Sequence, residues 1–188
     1  MLRSSGFRWV NLHNLTALMS KLARDNYRVL VADDSAEDRM LLKAAIHATG
    51  RLQCIGEVSD GSETIAYLKG HAGFGNREKY PMPDLLLLDL MMPGKDGFEV
   101  LKWLGARQLR KLLTVVVLTS SMEPEDIKRA LDLGADLFQV KPRSHHDRQA
   151  MVLALEEYLA NSSLASIRSA TGRIAGVSAL EVQLAGTP

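Results

Sequence analysis

Hydrophobic residues in this chain fall into short unbroken runs separated by amphipathic stretches of helical length. Five runs stand out: Arg28–Asp33 (RVLVAD), Gln53–Val58 (QCIGEV), Asp84–Asp89 (DLLLLD), Thr114–Thr119 (TVVVLT) and Asp136–Lys141 (DLFQVK). The first, third and fourth lack the alternation of a half-exposed strand, which predicts strands buried on both faces of a parallel sheet. Helical patterns lie between the runs. Ser35 and Asp38 predict a capping box, opening a helix that stops at Gly50. Asp60 and Glu63 open a second helix ending near Gly70. Asp96 and Glu99 open a third, in which Phe98, Leu101 and Leu104 share the core-facing stripe. Pro124 starts a fourth, with Ile127, Ala130 and Leu131 inward and Gly134 as its stop. Ser144 and Asp147 predict a second capping box, for a fifth helix reaching Asn161. Strands and helices alternating five times predict an α/β fold, an open, doubly wound, five-stranded parallel sheet with helices on both faces. In such sheets ligands bind outside the carboxyl ends of the strands.

The chemistry is concentrated at those ends. The first run ends in Asp33-Asp34, the third in Asp89, the fourth in Thr119 and the fifth in Lys141-Pro142. Three converging carboxylates repel unless a cation sits among them, and an oxygen-only set suits Mg²⁺. A lysine adds a mobile positive charge and a threonine a hydrogen bond. These are the parts of phosphoryl transfer to a carboxylate, with an aspartyl phosphate as product.

Composition narrows the classes. The chain has 188 residues, 46% hydrophobic and 24% charged, with a formal charge of +1, so no bulk positive charge speaks for nucleic acid. Basic ends flank a mildly acidic body. The single cysteine, Cys54, cannot form an internal disulfide, and no apolar stretch approaches the length of a membrane span. A cytoplasmic location is the expectation, with neither nucleic acid nor membrane as partner. Neither G-x-x-x-x-G-K-[ST] nor G-x-G-x-x-G occurs, which disfavours a nucleotide-binding site.

The set Asp33-Asp34, Asp89-Leu90-Met91-Met92-Pro93-Gly94, Asp96-Gly97, Leu118-Thr119-Ser120 and Lys141-Pro142 resembles the receiver domain of two-component response regulators, over residues 27–162. The resemblance implies a flavodoxin-like sheet of order 2-1-3-4-5. It implies Asp89 as phosphoacceptor, and Mg²⁺ held by Asp34, by Asp33 through water, by Asp89 and by the Met91 carbonyl. Thr119 and Lys141 would bind the phosphoryl group, Phe138 would be the aromatic switch that follows Thr119, and the Lys141–Pro142 bond would be cis. The phosphodonor would be a histidine kinase. The inserted loop His71–Met82 is similar to that of stand-alone regulators partnering bacterial phytochrome kinases; Met91 departs from that subgroup, which often has Asn there.

Taken singly, each strand-end residue has an ordinary reading, as a helix cap or a turn; jointly they do not. Phe138 reads equally as core. His145 and His146 are adjacent and lack ligand spacing, Cys54 reads as an inert strand thiol, and Trp103 as packing. Met151–Leu155 is apolar all round, so either residues 163–188 or a second subunit covers its outer side. A homodimer through the fourth helix, fifth strand and fifth helix is the expectation. Residues 1–26 read as an extension with a short amphipathic helix over Asn11–Arg24, and Met19 as an alternative start. Residues 163–188 read as a tail, with no effector domain. The leading function is a phospho-accepting signalling protein rather than an enzyme. The alternatives are a non-phosphorylated pseudo-receiver and a Mg²⁺-dependent phosphatase with an aspartyl nucleophile. The phosphatase usually carries D-x-D and a cap domain.

Overall fold

The computed structural model describes residues 26–107 and 113–175, the last thirteen by backbone alone. The expected N-terminal helix, Met19 and the tail beyond residue 175 lie outside the described residues. Among these, residues 26–157 form one compact unit, and those from Tyr158 onward belong to a second. In chain order the elements are β1 (Tyr27–Ala32), α1 (Ala36–Ala48), β2 (Leu52–Val58), α2 (Gly61–Lys69), β3 (Leu85–Leu88), α3 (Gly97–Gly105), β4 (Thr114–Thr119), α4 (Pro124–Asp132), β5 (Leu137–Val140) and α5 (His145–Ala175). All strand pairs are parallel, in the order β2-β1-β3-β4-β5. The fold is therefore the doubly wound one expected, and among the described residues no helix is long and apolar enough to cross a membrane.

Successive side chains of a strand point to opposite faces, so two cores form. Leu30, Ala32, Leu86, Leu88, Val115 and Val117 pack with Tyr67, Phe98, Leu101, Leu104 and Ala130 of α2, α3 and α4. On the alternate positions Val29, Val31, Leu85, Leu87, Val116 and Leu118 are equally buried, as are Leu42 and Ile46 of α1 and Val152 and Leu155 of α5. The strands have apolar residues on both faces because both faces are covered.

Three expectations about the helices change. Asp38 donates its N–H to Ser35 Oγ, but the reciprocal half of the box is not made, because the Ser35 N–H is held by Asp33 Oδ1 at 3.0 Å. Leu131 is 46% exposed: Ala130 occupies the sheet-facing position of α4, and the next residue is turned about 100° away. Helix α5 does not stop at Asn161 but continues to Ala175, taking in the start of the presumed tail. That segment has no proline and three alanines, the strongest helix formers, and Gly172 within it does not end the helix. Leu153 is exposed, in line with the all-round apolar pattern of that helix.

The loop before β3 is folded against α2. The Arg77 guanidinium donates to the carbonyls of Tyr67 and Leu68 at 2.9 and 2.8 Å, and to that of Tyr80 at 3.2 Å. It thus adds a side-chain donor at the carbonyl end of α2, where Tyr67 O also accepts from the Gly70 N–H at 3.0 Å. The rings of Tyr67, Phe74 and Tyr80 meet pairwise at 5.1–5.9 Å between centroids.

Candidate functional site

Because the strands are parallel, their carboxyl ends share one edge of the sheet, and the polar residue closing each apolar run is delivered there. Backbone hydrogen bonds fix the arrangement. Asp33 N donates to Val58 O at 3.1 Å, Asp89 N to Ala32 O at 2.8 Å, and Lys141 N to Thr119 O at 2.9 Å. Asp33, Asp89 and Thr119 are almost fully buried, whereas Asp34 is exposed at the rim. Carboxylate oxygens of Asp33, Asp34 and Asp89 lie within 4.8 Å of one another. This all-oxygen donor set fits a hard divalent cation, which these three residues could hold. Met91 stands at the mouth, its side chain 62% exposed and its N–H on Asp89 Oδ1 at 3.2 Å.

Lys141 reaches into the same cluster. Its Nζ lies 2.7 Å from Asp33 Oδ2, 2.8 Å from Asp89 Oδ2 and 2.9 Å from Asp38 Oδ2. Burial alone would lower the lysine pKa, but the hydrogen bonds to Asp33, Asp89 and Asp38 outweigh it and hold the ammonium above its ordinary range. Asp33 fares differently: burial pushes its carboxyl up, and the Lys141 hydrogen bond and charge offset this only in part, with the charge of Asp89 adding to the rise. The two directions agree once the sharing is counted. One ammonium collects three carboxylates, while each carboxylate receives a share of one ammonium. The cluster is short of positive charge.

Thr119 Oγ1 accepts from the Ser121 N–H at 3.2 Å. Phe138, opposite Val117 in β5, is half-buried against the α2–α4 core. Two expectations are corrected or completed here. No cis peptide occurs among the described residues, so the Lys141–Pro142 bond is trans; the lysine is held by its carboxylate partners instead. Asp38, read from the sequence only as a cap, proves to be part of the cluster. His145 and His146 are exposed, and the thiol of Cys54 is pushed up by burial, as expected of an inert strand residue. Trp103 is half-buried, its ring 4.2 Å from the Arg107 guanidinium.

Two glycines lock the loop after β3. Gly97 donates its N–H to Leu90 O, and Gly61 to Lys95 O, each at 3.0 Å. A Cβ at Gly97 would lie 2.8 Å from Leu90 Cα and closer still to the Asp89 carbonyl oxygen, all of it backbone that cannot swing aside. Gly97→Ala is therefore expected to lose about 2–3 kcal/mol of stability, the cost of overpacking. Urea denaturation measures it, and a midpoint unchanged from wild type would show that the loop yields freely.

The sequence pattern of the response regulator receiver domain matches residues 29–156. The probable methanogenesis regulatory protein FilR2 of Methanothrix harundinacea is 32% identical over 136 residues, which are 72% of this chain and 85% of that protein. The response regulator Rcp1 of Synechocystis is 31% identical over 130 residues, 69% of this chain and 86% of its own length. Among solved structures, the phosphorylated cyanobacterial phytochrome response regulator RcpA superposes with a TM-score of 0.63 at 29% identity, covering 73% of this chain and 96% of its own. With the sheet order, the acid cluster at the strand ends and these likenesses in agreement, the chain belongs to the response regulator receiver family.

Proposed function

We propose that this protein is a stand-alone response regulator that takes a phosphoryl group from a histidine kinase onto Asp89 and signals through a changed binding surface. The observation that carries the reading is the Asp89 carboxylate, buried beside the Lys141 ammonium at 2.8 Å and grouped with two further acids at the sheet's carboxyl edge. Rcp1 and RcpA, which this chain covers over 86% and 96% of their lengths, support both a stand-alone role and a kinase of the phytochrome type as donor. The intact acid pair, Asp89, Thr119 and Lys141 speak against a degenerate site.

In the step itself an Asp89 oxygen bonds to phosphorus as the bond from phosphorus to the donor nitrogen breaks, its electron pair leaving with the imidazole. Mg²⁺ held by Asp33, Asp34, Asp89 and the Met91 carbonyl would neutralise charge on the phosphoryl oxygens. Lys141 supplies a hydrogen bond and a positive charge to the same oxygens. Thr119 reaches them by giving up the Ser121 N–H, and Phe138 takes up the space this rearrangement opens near β5. The protein then acts by binding, not by turning over an external substrate, in the cytoplasm. The exposed Met122, just before α4, Leu131 on α4 and Leu153 on α5 support a homodimer through α4, β5 and α5. A monomer in light scattering with and without phosphodonor would remove that part.

The test is the intact mass after incubation with acetyl phosphate. One added phosphoryl group is expected with Mg²⁺ and none without it. A chain that binds Mg²⁺ yet gains no mass would be a pseudo-receiver. The metal also carries a pH signature. A carboxyl such as Asp33, raised above its unfolded value, disfavours folding once ionised: the cost sets in as pH rises from the unfolded value and is complete above the folded one. A cation binds the ionised carboxylate, so wherever Asp33 carries a proton that proton must leave first. Mg²⁺ affinity, measured by calorimetry, should therefore begin to fall at a pH above the ordinary aspartate range. Affinity that stays flat down to that range would contradict the electrostatics of the cluster.

A further inference from the structure

The three protons of the Lys141 ammonium meet three carboxylates, and one of these has no part in the chemistry described above. Asp33 and Asp89 both belong to the group able to hold a metal, and Asp89 is the attacking carboxylate; Asp38 is neither. Its position follows from the start of α1. Since Asp33 holds the Ser35 N–H, the Asp38 carboxylate is not drawn back to the cap and turns to the sheet, accepting from Lys141 Nζ at 2.9 Å across 103 positions of sequence. Asp38, Leu42, Leu118, Lys141, Pro142 and Arg148 line a cavity of about 10 Å³ there, and the Lys141 side chain is only 15% exposed.

We propose that Asp38 is a positioning residue for phosphoryl transfer: it accepts the hydrogen bond that Lys141 keeps while Asp33 and Asp89 change partners, and so holds the ammonium aimed at Asp89. This rests on Asp89 being the phosphoacceptor. An ammonium on a flexible four-carbon stem has many directions open to it, and an acceptor outside the reacting set selects one. As the Asp89 oxygen–phosphorus bond forms and acetate leaves acetyl phosphate with the electrons of the broken P–O bond, Lys141 turns one proton to the phosphoryl oxygens and keeps another on Asp38.

The test uses the full chain and the variants Asp38→Ala, Asp38→Asn, Lys141→Ala and the double Asp38→Ala, Lys141→Ala. The ¹⁵Nζ resonance of Lys141 is recorded without metal, and the rate of phosphoryl uptake is measured with acetyl phosphate and Mg²⁺. In Asp38→Ala the ammonium protons should exchange faster and the rate should fall about tenfold, as for loss of a charged hydrogen bond. Asp38→Asn keeps an acceptor oxygen and should recover most of both. With Lys141 already alanine, removing Asp38 should change the rate no further. An Asp38→Ala protein with wild-type rate and an unchanged Nζ signal overturns the proposal, as does an equal loss in the absence of Lys141. If wild type itself takes up no phosphoryl group, the phosphoacceptor reading falls and Asp38's role falls with it. If wild type is labelled and Asp38→Ala is indifferent, only the role of Asp38 is lost.

Discussion

Asparagine in place of Asp89 should take up no phosphoryl group while folding at least as stably as wild type. The amide has the carboxylate's shape but not its anionic oxygens, so it cannot attack phosphorus, yet its oxygen can still accept one of the hydrogen bonds made by Met91 N and Lys141 Nζ. The position is 4% exposed, so an isosteric change leaves packing intact. Electrostatically the change removes one of the acids that share a single ammonium, and relieving like-charge repulsion among buried carboxylates favours the folded state. Intact mass reads the first effect and urea denaturation at neutral pH the second. A variant that still gains the mass of one phosphoryl group would move the acceptor to another acid of the cluster.

Lys141→Met should have the opposite effect on stability. Methionine follows the lysine stem but removes the charge, leaving Asp33 and Asp89, with side chains only 2% and 5% exposed, without a counter-ion. Orphaning a buried charge costs about 3 kcal/mol or more. The raised lysine value means that the ammonium is present at every pH below the ordinary lysine range and its contribution is lost only in strong alkali. The deficit of the variant should be full at neutral pH, shrink in acid as the orphaned carboxyls take up protons, and shrink again when Mg²⁺ is added. Urea curves at several pH values, with and without Mg²⁺, test this. A metal-free variant as stable as wild type at neutral pH would show that the ammonium is not what balances the acids.

What was legible in the sequence was whatever a local pattern records. Apolar runs marked the strands, and the polar residue closing each run marked the site, because parallel topology sends those closing residues to one edge. Asp96 and Glu99 form the full capping box that their spacing predicts. The parts that stayed hidden depend on contacts distant in sequence. The Asp38 pattern is the same as that of Asp96 with Glu99, but Asp33 captures the Ser35 N–H, and Lys141, 103 residues away, captures the carboxylate. Leu131 fits the helical stripe by period, and only the geometry of α4 against the sheet shows which of two adjacent apolar residues is buried. The length of α5 is hidden for a simpler reason: its C-terminal residues are small and weakly polar like those of a tail, and Gly172 looks like a stop that the helix passes through. The tight contact of Gly97 with the Asp89 backbone leaves no trace in the sequence beyond the glycine itself.

The segment between α2 and β3 sets a condition on anyone who would transplant it. Arg77 closes the carbonyl end of α2, and Phe74 and Tyr80 pack on Tyr67, which belongs to the helix rather than to the loop. Moved alone into a relative with a short connection, the twelve-residue stretch His71–Met82 would arrive without its ring partner. The exchangeable unit is therefore larger than the insertion: Tyr67, Phe74, Arg77 and Tyr80 travel together, and a chimera built at the apparent loop boundaries would inherit the length of this connection without its shape.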